Sequence, residues 1–457
     1  MAVVDAGLLS PVTVGHDEVV SDAIVVDALV TAEAALSRAW HTVGVAPDAA
    51  AAAISQALGW RRAGARVRGH GIEVDALAAA SPAGGNPVIP LVGLLRERVA
   101  DEARIWVHRG ATSQDIVDTA LMIVARGALT RIALSLEEVA CALGGIARER
   151  RDEVAAGRTL TQQAVPTTVG LRAAVWLRAV RRAMQRLQEA VLPVQLGGAA
   201  GTLAAFVEVG GEDAAAALPA AFAKELRLAA PDAPWHTTRW PITELGDALV
   251  QSIDAVGTIA ADIATYSRTE IGEMAEGEGG GSSAMPQKHN PVRSVLIRSA
   301  ALRAPQLGAT LHLAAALTVD ERPDGAWHAE WPTLRELLRL ALGTSAHAEQ
   351  LVRGLQIDSA AVARNAQGVG MLAERLSIVL GPLIGRPRVA ELVAAAADRA
   401  QLAEAVRALP EAAGLDVDAL LDPAGYTGLA RRLVDEAAPV TDSTEADSAA
   451  DTAEGYA

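Results

Sequence analysis

The chain is 457 residues long and alanine-rich, with 3% aromatics and a net charge of −15; it has room for two or three domains and an electrostatic balance that disfavours a nucleic-acid partner. Its single cysteine, Cys141, excludes an internal disulfide or a multi-cysteine metal site, which fits a reducing cytoplasm. No uninterrupted apolar run reaches the roughly 18 residues that span a bilayer, so no membrane association is expected.

Residues 1–20 read as irregular, after which Ser21 and Asp22 are placed to cap a helix running through A-E-A-A-L-S-R-A-W. The turn-forming S-P-A-G-G-N-P, Ser81 to Pro87, precedes the close of a first helical domain, 1–100. A central domain, 101–355, carries long alanine-rich tracts: Ser113 to Arg151, Val165 to Leu192 and Pro241 to Ala275. Apolar positions spaced by three and four along tracts this long predict an all-α bundle wider than one chain encloses, hence an oligomer. Shorter helices separated by Gly and Pro predict a third domain over 356–436. The segment 437–457, with five acids and no base, predicts disorder.

Four polar islands interrupt the helical pattern. H-R-G-A-T-S-Q-D, His108 to Asp115, puts Thr112 and Ser113 at a helix start, where free amides and hydroxyls suit a carboxylate; helix capping alone also accounts for them. G-R-T-L-T-Q-Q-A-V-P-T-T, Gly157 to Thr168, precedes another helix with Thr161 and Gln162. G-G-G-S-S-A-M-P-Q-K-H-N-P, Gly279 to Pro291, is a glycine-rich loop with two hydroxyls, an ammonium and a carboxamide. D-E-R-P-D-G-A-W-H-A-E-W offers Arg322 as a bidentate anion clamp, or as one half of an interhelix salt bridge. The nine histidines are scattered, with no metal-ligand spacing, and no dinucleotide or Walker loop occurs; chemistry without a metal or cofactor is the simpler expectation.

Taken together, G-S-S-A-M-P-Q-K-H-N-P, G-A-T-S-Q-D and T-L-T-Q-Q-A-V-P-T-T resemble the three active-site regions of the fumarase/aspartase superfamily. H-R-G-A-T-S-Q-D, L-G-G-A-A-G-T-L-A-A, A-P-W-H-T-T-R and G-A-W-H-A-E-W are similar to its 3-carboxy-cis,cis-muconate cycloisomerase branch. The resemblance implies a three-domain helical subunit whose central bundles form a twenty-helix core in a homotetramer, with active sites shared between subunits. It also implies anti β-elimination from a dicarboxylate or polycarboxylate, with Ser282 as general base and Lys288, Asn290, Thr112, Ser113, Thr161 and Gln162 holding the substrate. Arg322 keeps its place in the motif.

Two departures narrow the substrate. Where relatives that expel an amine or hydroxide carry a histidine acid, this chain has Leu160, and losing such help costs on the order of 10²–10⁴ in rate. That disfavours fumarase, argininosuccinate lyase and adenylosuccinate lyase chemistry and permits weakly basic leaving groups. Gln287, His289, Thr318, Val319 and Asp320 replace the cycloisomerase pattern, lowering positive charge and suiting fewer carboxylates. The expectation is a lyase that releases fumarate and nitrite from nitrosuccinate. The alternatives are lactone-forming cycloisomerase and, further off, an adenylosuccinate-type lyase or a non-catalytic structural relative.

Overall fold

The computed structural model describes residues 6–278, 280, 281, 285 and 288–439. The chain is mostly helical. Four helices come first: α1 (Asp22–Thr42), α2 (Asp48–Leu58), α3 (Val74–Gly84) and α4 (Val88–Arg98). Long ones follow: α5 (Ser113–Glu149), α6 (Val169–Glu189), α7 (Ala204–Leu226), α8 (Trp240–Tyr266), α9 (Val292–Ala316) and α10 (Gly325–Arg353). Short helices occupy the chain from Ser359 to Ala437.

By compactness the chain forms two units, each discontinuous in sequence: residues 1–136, 183–257 and 296–347, and residues 137–182, 258–295 and 348–457. In the first, Ile116, Ala120, Val124, Ala128, Ile132 and Leu136 on α5 are all buried; a spacing of four winds about 40° further round the helix at each step, so α5 is buried on more than one side. The Ser21 side chain accepts from the Ile24 amide at 3.5 Å, so the start expected for α1 is the one that forms. In the second unit, Leu372, Leu376, Leu380, Val389, Leu402 and Val406 build a separate core from the short C-terminal helices.

Three expectations are corrected. The island Gly157 to Thr168 lies in a β-hairpin, not in a plain helix lead-in: β1 (Val154–Thr159) pairs antiparallel with β2 (Gln162–Thr168). Its Thr and Val residues favour a pleated surface, and Pro166, lacking an amide hydrogen, blocks an N-terminal extension of α6 by residues that need that donor. The tract begun at Val165 therefore becomes helical only at Val169 and ends at Glu189. The tract begun at Pro241 stops at Tyr266; Met274–Ala275 instead pairs with Gln356–Ile357 as a second short antiparallel ladder.

α5 and α8 are each long and apolar enough to cross a membrane by length and composition, yet 56% of the relevant window in each is buried inside the fold, as in core helices. Of the tail 437–457, Ala437 closes the last helix and residues 440–457 lie outside the described ones.

Candidate active site

In the first unit the island preceding α5 meets two other segments at one buried carboxylate. Gly110 at φ 81° turns the chain, and Thr112 and Ser113 begin α5. Asp115, fully buried in the first turn, accepts from the amides of Thr112 (3.0 Å), Gly197 (2.9 Å) and Gly198 (3.0 Å) and from His236 Nε2 at 2.8 Å. The Thr112 contact is the backward half of a capping box, with Asp in the role usually filled by Glu. Four donors converging on two oxygens fix the loop at Gly197 and the His236 ring against the helix start.

One turn further along α5, Asp118 joins a second buried cluster. Arg239 donates to Asp118 at 2.7 and 3.0 Å and to Glu330 at 2.6 Å, while Trp327 Nε1 reaches Asp118 at 2.9 Å. Burial works against the Arg239 cation, but Asp118 and Glu330 outweigh it and its pKa is raised. The Glu330 carboxyl is pushed up, by burial first and then by Asp118, which Arg239 only partly offsets. Gln195 ties the two clusters, accepting from the Trp235 amide at 3.0 Å and donating to Asp118 at 3.3 Å.

His108, at φ 59°, donates from Nδ1 to the buried Glu33 of α1 at 2.7 Å. Burial opposes its charge, but the Glu33 carboxylate prevails and the ring's pKa is raised. Arg322 stacks its guanidinium over the Trp327 ring at 5.7 Å, a cation–π contact in place of the salt bridge considered from sequence.

The second unit holds the remaining expected site residues. Leu160 and Thr161 form the two-residue hairpin turn, both at positive φ (48° and 70°), and Leu160 is 96% exposed within the chain. Thr161 and Gln162 sit beside it, exposed, with Gln162 Nε2 at 3.4 Å from Thr161 Oγ1.

Just below the turn, β1 is anchored by buried Glu273, which accepts from Arg158 (2.5 and 3.2 Å), Arg172 (3.0 Å) and Asn365 (2.9 Å). Burial alone would raise Glu273; Arg158, Asn365 and Arg172 outweigh it and hold the carboxyl low. Asn290 bridges Gly280 through both backbone bonds (2.9 and 3.0 Å), closing the neck of the glycine-rich loop, and Lys288 is exposed. Ser282 lies outside the described residues.

Thr112, Ser113 and Arg322 thus belong to one unit and Thr161, Gln162, Lys288 and Asn290 to the other. A cavity of about 520 Å³ beside Gly428, Arg431 and Glu436 contains none of them. Its lining is surface charge already paired, so the polar cluster at α5 is the better candidate. Among the described residues no group of three or more His, Cys, Asp or Glu is placed to hold a metal ion.

The family described as Lyase matches residues 15–305. The chain belongs to this lyase family, the fumarase/aspartase superfamily. The lyase is 45% identical to nitrosuccinate lyase of Streptomyces davaonensis, over 95% of each chain. It is 41% identical to 3-carboxy-cis,cis-muconate cycloisomerase of Pseudomonas aeruginosa, over 89% of each. The crystal structure of 3-carboxy-cis,cis-muconate lactonizing enzyme from Pseudomonas putida superposes with a TM-score of 0.83 at 36% identity, covering 94% of this chain and 98% of that one.

Asp115, Asp118, His236, Arg239 and Glu330 were not singled out from sequence. Two signals were available: Thr112 and Asp115 have the spacing of a capping box, and His236, Arg239 and Glu330 lie in the A-P-W-H-T-T-R and G-A-W-H-A-E-W segments that resemble the cycloisomerase branch. Their pairing becomes legible only once α5, the Gly197 loop and α10 are packed.

Proposed function

We propose that this lyase is a cofactor-independent carbon–nitrogen lyase that removes a weakly basic group from a substituted succinate by anti β-elimination and releases fumarate, with nitrite leaving from nitrosuccinate. The observation that supports it most is Leu160. At the position where relatives that expel strong bases carry an acid, the hairpin tip presents an exposed hydrocarbon side chain. The likeness to nitrosuccinate lyase points the same way.

In this reading Ser282 takes the proton next to a carboxylate, and the carbon–hydrogen electron pair delocalises into that carboxylate. The pair then forms the double bond while nitrite departs with the electrons of the carbon–nitrogen bond. Thr112, Ser113, Thr161, Gln162, Lys288, Asn290 and Arg322 hold the substrate. Because these residues are divided between compact units, the proposal includes a cytoplasmic homotetramer with a twenty-helix core, three-domain subunits (1–100, 101–355, 356–436) and sites shared between subunits. Leu302, Leu313 and Leu317, exposed along and just after α9, are suited to such packing.

Ultraviolet absorbance of fumarate with stoichiometric free nitrite supports this activity. Consumption of carboxymuconate with neither product would establish the second reading, cycloisomerase, which the likeness to the Pseudomonas aeruginosa enzyme favours. Ser282→Ala should lose turnover while still binding a dicarboxylate, because a base lowers the barrier more than it aids ground-state affinity. Unchanged turnover in that variant would remove Ser282 from the mechanism.

A further inference from the structure

Three segments converge on the first turn of α5, and they leave two buried polar atoms without a partner: His236 Nδ1 and Gln114 Oε1. Gln114 donates its Nε2 to the His236 carbonyl at 3.0 Å, so the two orphans belong to neighbouring groups. His236 is only 3% exposed. Asp115 already receives three backbone amides and, as an ionised carboxylate, has no hydrogen to give. His236 must therefore carry its hydrogen on Nε2, toward Asp115, and Nδ1 is the nitrogen left for another partner.

The loop passes the ring closely at Gly197, where a Cβ would stand 2.8 Å from the ring Cε1. At Gly201, which holds a positive φ, a Cβ would lie 3.8 Å from Nδ1, an ordinary contact distance.

We infer that His236 is a further substrate-binding group, whose Nδ1 meets a carboxylate oxygen of the ligand held at the start of α5 and takes up a proton as that ligand binds. This rests on the dicarboxylate-lyase reading above. An anionic oxygen requires an N–H facing it, and with the Nε2 hydrogen directed at Asp115 at 2.8 Å the hydrogen on Nδ1 has to arrive with the ligand. Among the described residues, the one ion pair of the imidazole is with Asp115. The loop contributes only Gly and Ala between 197 and 201, and Arg239, three residues on, is occupied by Asp118 and Glu330.

Calorimetric titration of the full-length protein with fumarate and with succinate, in buffers of different ionisation enthalpy at pH about 8, reads proton uptake directly. The wild type should take up a proton on binding. His236→Gln, which keeps an amide hydrogen for Asp115 but has no second protonatable nitrogen, should stay folded by circular dichroism, bind about 10-fold or more weakly and lose the uptake. Binding by the wild type without uptake, or equal uptake by the variant, overturns this inference alone. Absence of dicarboxylate binding by the folded wild type overturns it together with the lyase reading beneath it.

Discussion

Asp115→Asn is nearly isosteric and separates the carboxylate's hydrogen-bonding role from its shape. The wild-type oxygens divide four donors evenly: Oδ1 takes Gly197 N and His236 Nε2, and Oδ2 takes Thr112 N and Gly198 N. Asparagine supplies one acceptor oxygen and one donor NH₂; an NH₂ in the Oδ2 place faces the Thr112 and Gly198 amides, and one in the Oδ1 place faces the Gly197 amide while His236 can shift its hydrogen to Nδ1. Each buried donor left unpaired costs about 1–3 kcal/mol, which gives a loss of roughly 1–6 kcal/mol. Urea denaturation followed by circular dichroism, at one fixed protein concentration, measures it. Thr112, released from Asp115, should also bind succinate less well. A loss below about 1 kcal/mol would refute the reasoning, since it would mean the four donors find other partners at no cost.

Gly157→Ala should open the hairpin, because its Cβ would lie 2.6 Å from the Val165 carbonyl oxygen; a loss of about 1–3 kcal/mol in the same denaturation assay is expected. Thr161→Gly should stabilise the fold by about 1 kcal/mol, since relief of a β-branched residue held at φ 70° outweighs the extra freedom that glycine gains in the unfolded chain, yet weaken dicarboxylate binding if Thr161 is a contact. A melting temperature that falls would show the turn to be relaxed as it stands. For His108 the folded pKa is raised, so its contribution to stability is complete below the unfolded imidazole value of about 6.5 and disappears as pH rises through the folded value. Glu33→Gln removes the partner that raises it, and thermal melts across pH 6–9 should show a shallower alkaline decline than in the wild type. Parallel melting curves would exclude the pair as the source.

Much of the helical architecture was legible because α1, α5 and α8 repeat apolar residues at three and four, and because Ser21 and Gly110 mark starts that backbone chemistry demands. The hairpin was not. Its strands are six and seven residues long, with alanine and glycine diluting the alternation, and the deciding partner of Arg158 is Glu273, more than a hundred residues away. The same limit applies to the site. Thr112 and Ser113 announce themselves as helix-start residues, whereas Asp118, Arg239 and Glu330 read singly as ordinary charges. Only burial makes their pairing obligatory, since an ion taken out of water needs a counter-ion and hydrogen bonds.

The hairpin shows where the chain spends stability without local return. Its first strand is held firmly just below the turn: Glu273 is bonded to Arg158, Arg172 and Asn365, and Arg172 also lies 4.4 Å from the Tyr266 ring. Its tip is costly, with leucine and threonine in the left-handed region that glycine or asparagine would occupy at less strain, and with the leucine almost bare to water. A rigid stalk carrying a strained, exposed tip is the arrangement expected when the tip residues answer to a requirement outside the hairpin itself. The buried ion cluster of Asp118, Arg239 and Glu330 in the first unit needs no such explanation, because its charges are paired within it. Leu160 is therefore the residue at which substrate selection should respond to mutation with the least disturbance of the fold. Leu160→His, at a 96% exposed position, should change stability by no more than about 0.5 kcal/mol. It should also raise turnover of substituted succinates with basic leaving groups relative to nitrosuccinate, as measured by fumarate release in parallel assays. An unchanged ratio of the two rates would mean that the tip does not reach the leaving group.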